Sequence, residues 1–292
     1  MRILCWNMRG GINREEAIVD LLGQWQVTVA LFLEPPQFMR SDTNDRVLNT
    51  RSSTSRGPTP SSWRLQGYIH GHSQGAVFVA YAANTAVTLL GGAQVPGTGQ
   101  DNRLVFVKVV NSGETRIIAT CHAPFAENSG EARQFDISAV KLLKNGCNGP
   151  LGGKIVEGLT TDIWLGDLNT YGDTAPPGAE PAYVIKSVGD TSGFGATGGS
   201  SHFPLDKIIV RSDVSVHRVG RVVPASVSAN ANDIRQSDWT NDTSVPSDHL
   251  PIYIDTSAVS STPTLSVSTA SKKRSLAEEF AEIEADAKKH KH

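Results

Sequence analysis

The sequence predicts a protein of the α/β class in which part of the sheet is antiparallel. Two patterns predict this class. The chain begins with a strand, a helix and a second strand, an order typical of layered α/β structures. Several short apolar segments then follow one another through short turns, which is typical of antiparallel strands.

The first strand is predicted at residues 3–7, a continuous apolar run that ends at Asn7. A helix should follow it, because Asn13 is a suitable N-cap and Glu16 stands three residues later. The apolar positions after this cap recur at the spacing of one helical face, at Ala17, Ile18, Leu21, Leu22 and Trp25.

The second strand is predicted at residues 27–33, an apolar and β-branched run. Pro35 and Pro36 cannot extend a strand, so Glu34 should lie at its carboxyl end. Residues 40–63 are rich in Ser, Thr, Arg and Pro, and we interpret them as one long mobile loop.

Six further segments have the composition of short strands. They are residues 76–81, 105–110, 116–122, 162–165, 207–210 and 252–254. A second helix is predicted at residues 131–144, where one stripe is formed by Phe135, Ala139, Leu142 and Leu143.

The predicted domain comprises residues 1–255, and residues 256–292 form a tail of different composition. Residues 256–271 are rich in Ser and Thr, as linkers are. Ser275 and Glu278 then form a capping-box pattern ahead of a narrow apolar stripe. Two interpretations stay open: a flexible tail with a marginal helix, or a helix that binds a protein partner or the domain.

The composition is that of a globular protein with a core, since 39% of the 292 residues are hydrophobic and 19% are charged. No apolar run approaches the ~18 residues of a membrane span, and no signal peptide precedes the first strand. Three cysteines, Cys5, Cys121 and Cys147, leave at least one unpaired. We therefore expect a reduced protein that is cytoplasmic where it is made, with delivery elsewhere by another route left open.

The charge balance is mildly acidic, with a net charge of −2 for the whole chain. The tail carries six Lys and Arg against five Asp and Glu, so residues 1–255 carry a net charge of −3. Proteins that bind polyanions usually present a basic surface. A phosphate substrate would therefore be held either by a local cluster of basic residues or mainly by metal.

Eight polar residues stand at or beside the ends of the predicted strands. They are Asn7, Glu34, His122, Asp167, Asn169, Asp206, Asp248 and His249. Each alone has an ordinary explanation, because Asp and Asn commonly form turns and a single His is usually structural. Their number, order and types together indicate one polar site.

The types of these residues predict a divalent metal site with an acid–base pair. Converging carboxylates repel one another and raise one another's pKa values unless a cation is present. Carboxylate and amide oxygens suit Mg²⁺, with Mn²⁺ and Ca²⁺ as alternatives, and no thiolate cluster indicates zinc. A bound cation polarises a phosphoryl oxygen, and a His beside a carboxylate transfers protons.

Six short motifs contain these polar residues. They are Cys5-Trp6-Asn7-Met8-Arg9-Gly10, Leu33-Glu34, Thr120-Cys121-His122-Ala123, Leu165-Gly166-Asp167-Leu168-Asn169, Leu205-Asp206-Lys207-Ile208 and Ser247-Asp248-His249-Leu250-Pro251. These motifs span residues 1–255 and resemble, in type and order, those of the endonuclease/exonuclease/phosphatase superfamily, which has the DNase I-like fold.

This resemblance implies two packed mixed β-sheets flanked by helices, a four-layer αββα sandwich, for the catalytic domain at residues 1–255. It also implies that Asn7, Glu34 and Asp248 hold the metal. Asp167 would position or deprotonate the attacking water.

The resemblance assigns the remaining residues to the phosphate and the leaving group. Asn169 and Arg103, which precedes the strand at residues 105–110, would bind the scissile phosphate. His249, oriented by Asp206, and His122 would stabilise the pentacovalent state or protonate the leaving oxygen.

Residues 122–143 look most like the B subunit of cytolethal distending toxin. Two positions depart from DNase I itself. Gln74 stands where an acidic residue orients the histidine equivalent to His122, which implies slower turnover. Pro35 and Pro36 stand where DNase I inserts an Arg into the minor groove, which makes cleavage of duplex DNA less certain.

We therefore expect a Mg²⁺-dependent phosphodiesterase, and specifically a DNA endonuclease that uses in-line attack of water. A phosphatase acting on phosphoinositides or other phosphate esters is the alternative within the same chemistry. A catalytically inactive binding module on the same fold is the alternative from another class.

Overall fold

The computed structural model describes much of the chain up to residue 257. The described residues are 1–9, 15–36, 39, 46–48, 63–68, 77–82, 85–93, 104–123, 140, 146–151, 154–157, 160–170, 176, 178–195, 201–227, 229–239 and 244–257. One helix, α1 (Glu15–Gln24), is described in full. The strands are β1 (Arg2–Asn7), β2 (Val29–Leu33), β3 (Arg46–Leu48), β4 (Trp63–Tyr68), β5 (Val77–Ala82), β6 (Ala86–Ala93), β7 (Leu104–Asn111), β8 (Glu114–His122), β9 (Gly146–Leu151), β10 (Lys154–Glu157), β11 (Ile163–Asp167), β12 (Tyr183–Lys186), β13 (Asp206–Arg211), β14 (Arg218–Pro224), β15 (Ile234–Gln236) and β16 (Ile252–Asp255).

Two large sheets make up the fold. One has eight strands in the order β15-β14-β16-β1-β2-β5-β4-β3, and the other has six in the order β12-β13-β11-β8-β7-β6. Both are mixed, because β1 is parallel to β2 and antiparallel to β16, while β11 is parallel to β8 and antiparallel to β13. The predicted fold class, with an antiparallel part, is confirmed.

The central core lies between the two sheets. Successive side chains of a strand point to opposite faces, so Ile3 and Cys5 of β1 face inward together. They share one buried cluster with Leu165 of β11 and Ile208 of β13. Complete burial of such a side chain contributes about 1.5 to 3 kcal/mol. Burial also raises the pKa of the Cys5 thiol, so this cysteine behaves as a small apolar residue.

The outer face of each sheet is covered as well. Leu4 of β1 packs with Ile18 and Leu22, which come from the apolar face of α1. On the other sheet, Trp164 and Tyr183 belong to a third buried cluster. The apolar strands of both sheets are therefore buried on two faces, which explains their nearly continuous hydrophobic sequences.

Three tryptophans connect α1 to the large sheet. The rings of Trp6, Trp25 and Trp239 contact one another, with centroids 5.8 to 6.0 Å apart. The indole N–H of Trp25 donates to Gln236 Oε1 at 2.6 Å, and that of Trp6 donates to the His249 carbonyl oxygen at 2.9 Å. Both buried indole N–H groups therefore have partners, and the second bond fixes the backbone at His249.

A buried ion pair joins the first strand to the last. Asp255 is fully buried, and its carboxylate accepts hydrogen bonds from Arg2 at 2.8 and 2.9 Å. Arg218 donates to the same carboxylate at 3.0 Å, and both guanidinium groups lie over the ring of Tyr253. A charge buried to this extent is tolerated only because it is paired.

The structure agrees with the predicted strands to within two residues at each described end. It corrects one prediction, because β3 lies inside the segment 40–63 that was interpreted as one long loop. The rest of that segment up to residue 62, most of the predicted helix at 131–144, and the tail from residue 258 lie outside the described residues. The division at residue 255 therefore stays a prediction.

Several strands were not predicted, and their composition explains why. β6 contains Gly91 and Gly92 at an irregularity in its pairing with β7, and β9 contains two glycines and a proline. Such residues weaken a strand and are typical of loops and bulges. Among the described residues, no helix is both long enough and apolar enough to span a membrane.

We predict that Asp255→Ala lowers the free energy of unfolding by about 3 to 5 kcal/mol, because Arg2 would stay buried without its counter-charge. Urea unfolding measures this change. Asp213→Ala is the matched control, since Asp213 also pairs with an arginine, Arg211, but at the surface. Equal effects of the two substitutions would contradict the structural role of the buried pair.

Candidate active site

The site lies where the strands of the two sheets end. In the parallel pair β1 and β2, Asn7 is aligned with Leu33, so Glu34 follows directly beside it. In the parallel pair β8 and β11, His122 is aligned with Asp167, and Asp206 at the start of β13 is also aligned with Asp167. Side-chain contacts between these groups bring both sets of strand ends to one edge.

Gly166 shows how closely β8 and β11 approach each other beside the site. A Cβ atom at this position would lie 2.2 Å from the carbonyl oxygen of Cys121, which is well inside van der Waals contact. Glycine is therefore required directly before Asp167, which explains the Gly-Asp pair in the sequence.

His249 is bound to one carboxylate and faces another. Its Nδ1 lies 2.7 Å from Asp206 Oδ2, and its Nε2 lies 3.8 Å from Asp167 Oδ2. Its backbone N–H donates to the hydroxyl of Ser247 at 3.1 Å, and the same hydroxyl donates to the carbonyl oxygen of Asn7 at 2.7 Å. The imidazole is therefore oriented by both its backbone and its ring.

The charge state of His249 follows from these neighbours. Burial alone lowers the pKa of the imidazole, but the charges of Asp206 and Asp167 and the hydrogen bond to Asp206 outweigh it and raise the pKa to about 10. Burial raises the pKa of the Asp206 carboxyl, and the charge of His249 opposes that rise. At neutral pH His249 is therefore an imidazolium that can donate a proton from Nε2.

His122 connects the two sheets at the same edge. Its Nε2 lies 3.3 Å from Glu34 Oε1 and 3.6 Å from Asp167 Oδ2. Glu34 has a left-handed backbone, with φ of 44°, directly after β2. Non-glycine residues seldom adopt this conformation, and it is common where a functional side chain is held in place.

Asp167 is the centre of the site. Its Oδ2 accepts a hydrogen bond from Asn7 Nδ2 at 3.0 Å, and its Oδ1 accepts one from the backbone N–H of Asn169 at 2.9 Å. Asn169 Nδ2 donates to the carbonyl oxygen of Ala123 at 2.8 Å and carries a second hydrogen, which a phosphate oxygen would accept. Asp167 is thus a fixed carboxylate within reach of two imidazoles.

Asp248 stands beside His249 and is almost buried. Its Oδ2 is paired with the guanidinium of Arg9. Its Oδ1 is buried and has no hydrogen-bond partner among the described residues. A buried carboxylate oxygen without a partner is unfavourable unless a cation binds it.

Two sets of atoms in the site offer metal ligands. Asp167, Asp206 and His249 present ligand atoms within 4.8 Å of one another. In this set the Nδ1 of His249 already lies 2.7 Å from Asp206 Oδ2. Asn7, Glu34 and Asp248 carry oxygens of the type that a hard divalent cation prefers, and Oδ1 of Asp248 is buried without a hydrogen-bond partner among the described residues.

The structure places eight of the predicted site residues at one edge of the sandwich: Asn7, Glu34, His122, Asp167, Asn169, Asp206, Asp248 and His249. Arg103 and Gln74 lie outside the described residues. Sequence reasoning assigned no role to Arg9 or Ser247. Their position inside the motifs around Asn7 and Asp248 was the available signal.

Comparisons with known proteins identify solved structures that share this architecture. No family model matches the sequence, and no curated protein matches it. Solved structures do match. TDP2 of D. rerio, crystallised with a single-strand DNA product, has a TM-score of 0.54 at 13% identity, over 87% of this chain and 97% of that chain.

Two proteins of Bacteroides thetaiotaomicron match equally well. The mannosyl-6-phosphatase Bt3783 has a TM-score of 0.51 at 14% identity, over 87% of this chain and 98% of that chain. An endonuclease/exonuclease/phosphatase family protein has a TM-score of 0.52 at 14% identity, over 87% of this chain and 96% of that chain. At these identities the likeness shows the fold, and the chain has the DNase I-like α/β sandwich.

We predict that Asp206→Asn flattens the pH dependence of stability in the metal-free protein. Because the pKa of His249 is raised on folding, its contribution to stability is complete below its ordinary pKa of about 6.5 and is lost as pH rises towards its folded value. Wild-type stability should therefore fall between about pH 7 and pH 10, and less so in Asp206→Asn.

Urea unfolding in the presence of a chelator, repeated across this pH range, measures both slopes. The exposed His217 provides the control, since His217→Ala should keep the wild-type slope. An unchanged slope in Asp206→Asn would show that Asp206 does not hold the proton on His249.

Proposed function

We propose that this protein is a Mg²⁺-dependent phosphodiesterase that cleaves DNA as an endonuclease. One observation carries the proposal: a His249–Asp206 pair and a His122–Glu34 pair face the same carboxylate, Asp167, at one edge of the sandwich. Two oriented imidazoles around a fixed carboxylate supply the acid and base that hydrolysis of a phosphate ester requires.

In this proposal Asn7, Glu34 and Asp248 bind the metal. Their side chains offer the oxygen ligands that Mg²⁺ prefers, and Mn²⁺ or Ca²⁺ could replace it. When bound, the cation would polarise a phosphoryl oxygen of the substrate. Asn169 and Arg103 bind the scissile phosphate in this proposal, since an amide N–H and a guanidinium both donate to phosphate oxygens.

Proton transfer falls to the groups around Asp167. Asp167 is the carboxylate that both imidazoles face, and it positions or deprotonates the attacking water. His249 carries a proton on Nε2 because of Asp206, so it stabilises the pentacovalent state or protonates the leaving oxygen. His122 assists from the other side, with Glu34 as its partner.

DNA as the substrate is supported by two likenesses. TDP2 of D. rerio, which shares the fold, was crystallised with a single-strand DNA product. The sequence of residues 122–143 looks like the B subunit of cytolethal distending toxin, and we propose that relationship on the sequence pattern alone.

A phosphatase is the second candidate, and the charge of the domain favours it. Residues 1–255 carry a net charge of −3, which disfavours tight non-specific binding to DNA at physiological salt. A mannosyl-6-phosphatase shares the fold. The substrate in this case would be a phosphoinositide or another small phosphate ester.

We predict that the protein nicks supercoiled plasmid with Mg²⁺ and that a chelator abolishes nicking. His249→Ala and His122→Ala should each reduce the rate by about a hundredfold or more, because each removes a proton-transfer group. Gel analysis of relaxed plasmid against time measures the rate. His217→Ala is the matched control, since His217 is exposed and plays no part in the site. Full activity in both site variants would refute the assignment.

The two candidate substrates are distinguished by a parallel assay of phosphate release. A DNA endonuclease should nick plasmid and release no inorganic phosphate from phosphoinositides or sugar phosphates. Release of phosphate that depends on His249, without nicking, would replace the nuclease by the phosphatase. Failure of both reactions with intact metal binding would favour a binding module on the same fold.

A further inference from the structure

Arg9 contacts two of the three residues that are proposed to hold the metal. Its backbone N–H donates to Asn7 Oδ1 at 3.2 Å. Its guanidinium pairs with Asp248 Oδ2. These are the types of oxygen atom that a divalent cation would use, so donors of Arg9 occupy part of the proposed ligand set.

The backbone conformation of Arg9 makes both contacts compatible. Arg9 follows β1 with a left-handed backbone, φ 42°, which is uncommon for a residue with a side chain. This conformation turns the N–H of Arg9 back towards Asn7. The side chain of Arg9 meanwhile contacts Asp248, which lies 239 residues later in the chain. The arrangement needs a basic side chain at this position, because only the contact to Asp248 depends on the side chain.

The two members of the pair differ in their access to water. The side chain of Asp248 is 9% exposed, whereas that of Arg9 is 59% exposed. Removing the Arg9 guanidinium without a replacement would leave the nearly buried charge of Asp248 uncompensated, which is unfavourable. Arg9, by contrast, can move into solvent with its charge hydrated.

We propose that Arg9 is an internal competitor of the divalent cation, so that metal binding displaces its guanidinium from Asp248. The inference rests on the proposed metal site. In the metal-free protein Arg9 neutralises Asp248, and in the metal-bound protein the cation does so. The affinity for metal is therefore lower than the ligand set alone would give.

The alternative arrangement has the opposite consequence. If the cation bound only Asp248 Oδ1 and Arg9 stayed on Oδ2, Arg9 would hold the ligand in position. Removal of Arg9 would then weaken metal binding instead of strengthening it. The sign of the change in affinity therefore distinguishes a competitor from a positioning residue.

The test is titration of the chelator-treated protein with MnCl₂ in a calorimeter, without substrate. Arg9→Gln should bind Mn²⁺ roughly twofold to fivefold more tightly, in line with the strength of a partly exposed ion pair. Arg116→Gln is the matched control. Arg116 also pairs with a carboxylate, Glu114 at 2.9 Å, but lies at the opposite end of β8 from His122, so its removal should not change the affinity.

A second readout uses the pair itself. In the presence of EDTA, Arg9→Gln should lower the midpoint of thermal unfolding, and added Mn²⁺ should raise it by more than in the wild type. In an Asp248→Asn background, Arg9→Gln should no longer lower the midpoint in EDTA, because Asn at position 248 has no charge for Arg9 to neutralise. Repeating the titration in high salt separates the direct contact, which persists, from a screened effect of net charge.

Unchanged or weaker Mn²⁺ binding by Arg9→Gln would overturn the inference, as would an equal gain in Arg116→Gln. Nicking by the wild type together with such a result would overturn the role of Arg9 alone. Tighter binding by Arg9→Gln in a protein that neither nicks plasmid nor releases phosphate would overturn the proposed function alone.

Discussion

The convergence of four carboxylates on one edge of the sandwich is the constraint on which the site depends. Such groups repel one another and are unfavourable in a buried environment without compensation. The structure supplies each with a hydrogen-bond donor or a basic partner. The pairings are Asp206 with His249, Glu34 with His122, Asp248 with Arg9, and Asp167 with Asn7 and both imidazoles. The same pairings orient the imidazoles and favour a proton on His249, so the compensation also creates the proposed chemistry.

Sheet topology confines this polar cluster to the edge. The central strands β1, β2 and β11 are buried on both faces and largely apolar, and the polar groups of the site lie where these strands end. Two parallel pairs, β1 with β2 and β8 with β11, bring their carboxyl ends together there. The packing of the sheets then joins the two pairs, and the bond from the Trp6 indole to the backbone of His249 links the apolar core to the site.

Much of the fold and most of the site were predictable because their signals are local. The helix α1 follows from an apolar periodicity, and the core strands follow from apolar runs with polar ends. β6 and β14 were missed, since Gly91, Gly92 and Gly220 and the arginines of β14 are untypical of strands. The position of such strands depends on tertiary partners. Arg221, for example, is buried against Asp233 at 2.7 Å and the carbonyl oxygen of Asp190 at 2.6 Å.

The sequence alone determines the kinds of chemical group in the site, their order along the chain and the strand ends that carry them. The tertiary structure adds which group meets which. His249 contacts Asp206, which is 43 residues away in the sequence. Arg9 contacts Asp248, which is 239 residues away. Strand order, register and the packing of one sheet on the other decide such contacts, because a side chain's partner depends on which strands become neighbours. The charge on His249 and the competition inferred for Arg9 therefore arise only in the folded chain.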